Sequence, residues 1–295
     1  MKYIIGLLAM FLTTAASGQT KLIMANSAAP SVHDWPYLIA EDQQLFNKNQ
    51  LDVVFTPLAK NQEVASMVGR GESQFAYQMI VVDAMIVDSK NLGIDIVRIN
   101  NGAMLVMFGK SSNLADIKTV AISTKMEPSY LLAQAIIKSK GFDPSKFDYI
   151  NAVNGSQRLQ YVLLGRADAG IMPLPRDMIA YQKGFHHIGY ANDVMPTFPF
   201  QGVALNRKFA QDNPAVANKI VAVWDSAITW FKQPSNRERA AALLAKFMQI
   251  SQDDALATYD IVIKNNYFST ESTNVRSRID SLREYADYLI RNEQM

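Results

Sequence analysis

The sequence predicts an α/β fold in which mostly parallel sheets are flanked by helices and arranged in two lobes. Three observations predict it. From Phe147 to Phe185 the chain reads as strand, Asn-Gly turn, amphipathic helix, Gly-Arg-Ala-Asp corner, apolar strand and second helix. Tyr149 to Val153 and Ala169 to Met172 are strand-sized apolar runs, and Leu159, Val162 and Leu163 fall at helical spacing between them. That pattern requires a right-handed crossover and a buried sheet. The same alternation fills the stretch from Lys21 to Ile99. Finally, Gly71 to Tyr77 echoes Gly165 to Ile171: each places a glycine at a helix exit with a small-residue strand behind it, consistent with two similar lobes.

Residues 1–18 come first. One basic residue, Lys2, precedes an apolar core from Tyr3 to Leu12, and Ala16 and Gly18 flank a cut before Gln19. This is the pattern of a cleaved secretory signal peptide rather than a membrane span. With no cysteine at the cut, the expectation is a freely soluble periplasmic protein without a lipid anchor. The absence of cysteine also rules out disulfides, zinc-thiolate sites and thiol catalysis. Removing Lys2 takes the formal charge from +2 to about +1, which offers no signal for nucleic acid or membrane. At 49% hydrophobic and 19% charged, the composition is that of an ordinary globular protein.

Lys21 to Ala25 is a short strand ending at Asn26-Ser27. A helix follows from Asp34, its expected N-cap, with Pro36 in the first turn, and runs to about Phe46. Leu51 to Leu58 is a strand, Asn61 to Arg70 a helix, Gln74 to Tyr77 a strand, Ile80 to Lys90 a helix and Asp95 to Ile99 a strand. Ala103 to Phe108 is a further apolar run, and the first crossing between lobes is expected at Gly109 to Asn113. The second lobe then has a strand at Thr119 to Ser123 and a helix from Pro128 to Lys140, and continues to Tyr190. Residues 191–200 lead back, and Gln201 to Asn206 rejoins the first sheet. The expected division is 19–109 and 195–295 for the first lobe and 110–194 for the second, with two connecting strands as the hinge. Beyond Pro214 four helical segments are expected, the last from Thr273 to Arg291.

Leu163-Leu164-Gly165-Arg166-Ala167-Asp168-Ala169, followed by Pro173 and Pro175, resembles the second lobe of the NMT1-like periplasmic substrate-binding proteins, which serve sulfonates, nitrate and thiamine precursors. Gly141-Phe142-Asp143-Pro144-Ser145 is similar to that group's turn after the preceding helix. The resemblance covers roughly the whole mature chain. It implies the type II periplasmic-binding-protein fold, ligand capture by hinge closure, and delivery to an ABC permease in the inner membrane.

No phosphate loop, nucleophile elbow or His-Glu-x-x-His pair is present, and His186 and His187 alternate across a strand, so no catalytic residue, metal or cofactor is expected. The ligand pocket is placed by the rims where strands end and helices begin. In the first lobe these rims offer Asn26, His33, Trp35, Gln78 and Met79, with the Trp35 indole able to stack on a flat ligand. In the second they offer Ser123, Lys125, Glu127, Asn154, Gly155, Pro173, Leu174 and Pro175, with Phe198 on the return connection. Many relatives hold an anionic head group on a Gly-Ser-Thr loop before the first helix of the second lobe. Here Lys125-Met126-Glu127 occupies those positions, so the resemblance, amended by this departure, implies a heteroaromatic, amine or similar small organic ligand. The expected protein is a monomeric solute-binding protein and not an enzyme. A ligand-sensing subunit for a membrane receptor and an enzyme on the same scaffold are the alternatives; the cysteine-rich motif of the group's pyrimidine synthases has no counterpart here.

Overall fold

A computed structural model describes residues 20–27, 30–152, 154–268 and 275–293. The expected signal peptide lies outside the described residues. Among the described residues, ten strands form two five-stranded sheets. β1 (Thr20–Ser27), β2 (Leu51–Leu58), β3 (Phe75–Ile80) and β4 (Ile94–Asn101) belong to the first sheet. β5 (Leu105–Gly109), β6 (Thr119–Ile122), β7 (Asp148–Asn151), β8 (Ala169–Pro173) and β9 (His186–Tyr190) make the second, and β10 (Gln201–Asn206) returns to the first. The strand orders are β2-β1-β3-β10-β4 and β7-β6-β8-β5-β9.

Each sheet has one reversed strand. β1 runs parallel to β2 and β3, whereas β10 is antiparallel to both β3 and β4. Likewise β6 is parallel to β7 and β8, whereas β5 is antiparallel to β8 and β9. Helices cover both sheets, as buried parallel strands require. The crossing differs from the expectation: β5 pairs throughout with the second sheet, so the chain passes between sheets at Gly102 to Met104 and not at Gly109 to Asn113. The apolar run is compatible with a central strand of either sheet, and only the pairing decides.

The first helix ends earlier than expected. It spans Trp35–Asp42, Gln44 takes a left-handed φ of 54°, and Leu45–Lys48 forms a separate turn. Asp34 is its N-cap residue as expected, but the Asp34 side chain caps the preceding 3-10 turn Val32–Asp34 instead: there the Ser31 hydroxyl accepts from the His33 amide while the Asp34 carboxylate accepts from the Ser31 amide, a capping box. The last expected helix divides into Val275–Asp280 and Arg283–Glu293.

The two cores meet at the waist. Met104, Val106 and Leu174 join the first-lobe cluster around Trp35 and Trp224, while Ile80, Val81 and Ile99 join the cluster of the second lobe. Each such buried aliphatic side chain contributes about 1.5–3 kcal/mol. Gly202 permits the closest approach within the first sheet, since a Cβ there would lie 2.3 Å from the Arg98 carbonyl oxygen.

Candidate functional site

A cleft of about 300 Å³ lies between the sheets, walled by the ends of strands and the starts of helices from both lobes. The first lobe contributes Ser27 at the end of β1, Ser31 and His33, Lys60 to Gln62 at the start of the helix Asn61–Gly69, Gln78 and Ile80 from β3, and Phe200 and Gln201. The second contributes Leu105, Ser123, Thr124 and Pro173, together with three helix starts. These are Glu127 to Ser129 before and within Pro128–Ser139, Asn154, Gly155 and Arg158 of Gly155–Leu163, and Arg176 of Arg176–Tyr181.

Local chemistry explains these positions. Ser129 accepts from the Ser123 amide at 2.9 Å and closes the loop after β6. Asn154 caps its helix by accepting from the Gln157 amide at 3.0 Å. A Cβ on Gly155 would lie 3.2 Å from Pro173 Cδ and 3.3 Å from Arg176 Cδ, so glycine lets this helix start sit against the β8 loop. The lobes touch through the backbone, where the Val32 amide donates to the Leu174 carbonyl at 3.2 Å. They also touch through a side chain, where Arg176 Nη2 donates to the Pro30 carbonyl.

The charged groups are deeply set. Arg158 Nη1 donates to the Ser123 hydroxyl, and burial pulls its pKa down to about 10 against the opposing pull of Glu127. Burial raises the Glu127 carboxyl, while a hydrogen bond from Ser123 and the charge of Arg158 oppose that rise. On the first-lobe side Asp34 accepts from Tyr77 Oη at 2.5 Å, Gln78 Nε2 at 2.6 Å and the Ser31 amide at 2.8 Å. Burial nevertheless pushes its pKa up to about 6. His33 is pushed down to about 3 by burial and by the Arg176 charge, and so is neutral. Among the described residues, His33 Nε2 and Arg158 Nε are buried without a hydrogen-bond partner. No group of three or more His, Asp or Glu among the described residues is placed to hold a metal ion.

The family model described as NMT1-like matches residues 29–245. The chain belongs to the NMT1-like family. No curated protein matches it. Among solved structures, its fold is similar to that of the periplasmic aliphatic sulphonate binding protein SsuA from Escherichia coli. The two are 16% identical, 93% of each chain is covered, and the TM-score is 0.74. It is also similar to the ligand-binding component of an ABC-type import system from Staphylococcus aureus, solved with zinc bound, at 14% identity over 94% of this chain and 92% of that one, TM-score 0.74. The periplasmic nitrate-binding protein NrtA from Synechocystis matches at 14% identity over 81% and 70%, TM-score 0.67. The fold is thus the two-lobed one of the periplasmic binding proteins.

In this NMT1-like chain seven of the sequence-derived candidates reach the cleft wall: His33, Gln78, Ser123, Glu127, Asn154, Gly155 and Pro173. The other seven stand elsewhere. Trp35 is wholly buried, its indole N–H donating to the Ala240 carbonyl at 2.7 Å and its ring packed on Phe231 and Tyr259, so it anchors the helix to the C-terminal segment and stacks on no ligand. Asn26 is buried and accepts from the Gln78 amide at 3.2 Å. β3 extends to Ile80, so Gln78 and Met79 lie within the strand, and its two-residue period sends Met79 into the apolar core opposite Gln78. Lys125 is exposed, 6.0 Å above the Tyr130 ring. Leu174 belongs to the waist core, Pro175 is buried after a cis peptide bond, and Phe198 packs in the second-lobe cluster.

Sequence reading missed Arg158 and Arg176. Arg158 did leave a signal. Gly155, Arg158, Leu159 and Val162 share the buried stripe of an amphipathic helix, where an arginine must find a polar pocket. Arg176 left none, because an arginine at a helix start looks like any surface residue.

Proposed function

We propose that this chain is an exported solute-binding protein that captures a small organic molecule, heteroaromatic or amine-bearing, between its lobes and delivers it to an ABC permease in the inner membrane. One observation carries the reading. The cleft is walled by polar side chains and helix starts from both sheets, so a bound solute bridges the lobes and favours the closed form. Membership of the NMT1-like family and the apolar start behind Lys2 support the same reading. His33 and the Phe200 ring, with centroids 5.4 Å apart, give one wall an aromatic lining suited to a flat ligand. The Ser31 hydroxyl lies 3.2 Å from His33 Nδ1, but it is engaged as acceptor for the His33 amide and burial pushes the imidazole down to about 3, a weak base at neutral pH, which favours binding without turnover.

The test is to unfold the purified chain, dialyse away retained solutes, refold it and follow its melting against a panel of small molecules. A true ligand at 100 times its Kd adds about 2.7 kcal/mol of apparent stability. Recovery of the ligand unaltered after prolonged incubation supports transport binding; conversion to a product refutes it.

A further inference from the structure

Resting on the solute-binding reading, we propose that Gln78 is the residue of the first-lobe wall that selects the solute, and that it selects an N–H: the bound molecule turns an amine, amide or amino-heterocycle edge towards Gln78 and His33. Asp34 stands behind that wall. Its Oδ1 accepts from Tyr77 Oη at 2.5 Å and from Gln78 Nε2 at 2.6 Å, and its Oδ2 accepts from the Ser31 amide at 2.8 Å. A carboxylate only accepts, so the side of the Gln78 amide that meets Asp34 must be its nitrogen. The amide oxygen is thereby turned the other way. Gln78 lines the cleft, and no described residue donates to that oxygen. Asp34 does not touch the solute; it is a positioning residue, fixing which end of the Gln78 amide is offered.

His33 adds a second acceptor on the same wall. The Ser31 hydroxyl has one proton to give, and the Asp34 carboxylate at 3.4 Å is a stronger acceptor for it than His33 Nδ1 at 3.2 Å. The hydroxyl oxygen then accepts from the His33 amide at 3.3 Å and from Nδ1–H. The imidazole is neutral at neutral pH, so only one ring nitrogen carries a proton. With that proton on Nδ1, Nε2 is an acceptor, and it is buried without a partner. A buried acceptor left unpaired is costly, and a solute N–H removes that cost. An oxyanion, which only accepts, finds no partner in the Gln78 oxygen or in His33 Nε2. The charged lining groups Lys60, Glu127, Arg158 and Arg176 respond to the charge of the solute at other points of the cleft and play no part in this choice.

The experiment uses probe pairs that differ only in methylation of nitrogen: benzamide and N,N-dimethylbenzamide, 2-aminopyrimidine and 2-(dimethylamino)pyrimidine, 2-imidazolidinone and 1,3-dimethyl-2-imidazolidinone. Calorimetric Kd values are measured on the refolded full chain at pH 7.5, for the wild type and for Asp34→Asn, whose amide donates as well as accepts and so lets the Gln78 amide turn over. Any molecule released when the freshly purified protein is unfolded is identified by mass spectrometry and compared with its own N-methylated form in the same way. The expected result is that the N–H member binds about tenfold or more tightly than its methylated partner, and that this ratio falls at least about threefold in Asp34→Asn, where a purely steric effect of the methyl groups would survive. Gln78→Met carries the same test should Asp34→Asn fail to fold. Independently of any solute, the ¹⁵N shifts of the His33 ring in the free chain, assigned by comparison with His33→Gln, should show the proton on Nδ1 and a bare Nε2. Methylated members binding as tightly as their parents, a ratio unchanged in a folded variant, a released molecule without an N–H, or a proton on His33 Nε2 each overturns the proposal and leaves solute binding standing. No response to any probe together with no released molecule would sink solute binding itself, and the N–H selection with it.

Discussion

Replacing Asp34 by Asn should flatten part of the pH dependence of stability, and the size of the change follows from where the carboxyl sits. Asp34 is 3% exposed and burial pushes its pKa up to about 6 from the ordinary 3.8. A carboxyl with a raised folded pKa binds its proton more tightly in the folded chain. Its contribution is therefore complete below pH 3.8 and is lost as the pH rises through about 6. One pH unit below that value, at pH 5, the wild type should have gained about 1.4 kcal/mol relative to Asp34→Asn, compared with their difference at pH 8. His33 works the other way, because its depressed pKa makes acid destabilising, but burial and Arg176 set that shift and both persist in the variant. Subtracting the two urea-unfolding series at pH 5, 6, 7 and 8 isolates Asp34. A difference that stays flat within 0.5 kcal/mol, or grows in favour of the wild type towards alkaline pH, would refute the placement of this carboxylate in a dry network.

Three further substitutions probe other parts of the molecule. Trp35→Ala should lower stability by about 3–5 kcal/mol, because it empties a core site and leaves the Ala240 carbonyl unpaired; chemical denaturation checks this. Arg158→Ala should weaken a bound solute by roughly 10- to 150-fold, the range for losing a hydrogen bond to a charged donor, with the melting temperature of the free chain as control. Gly202→Ala should destabilise by about 1–3 kcal/mol or more, since backbone and not a flexible side chain stands where the methyl must go; a melting temperature equal to wild type would contradict the packing of β10.

The αβ units were readable because their signals are local: apolar runs of strand length, a capping Asn154, and Gly71 and Gly165 at helix exits with φ values of 77° and 67°. Rim positions on the second lobe were readable for the same reason, since Asn154, Gly155 and Pro173 follow or end strands by sequence alone. The misplaced candidates share a different cause. Trp35 looks like a rim aromatic until its partner appears 205 residues away at Ala240, and no local pattern announces that pairing. Met79 moved because a strand two or three residues longer than its apolar pattern suggested carried the two-sided alternation past Gln78. The crossing point moved because β5 is apolar enough for either sheet, and strand partnership is decided by the whole sheet and not by the strand.

The reversed strands set an order of assembly. The second sheet is drawn from one uninterrupted stretch, β5 to β9, whereas β4 is tied to the rest of the first sheet only through β10, which arrives about a hundred residues later. A chain emerging from its N-terminal end can finish the later-encoded sheet while the earlier one still waits for its keystone. The lobe that is begun first is completed last.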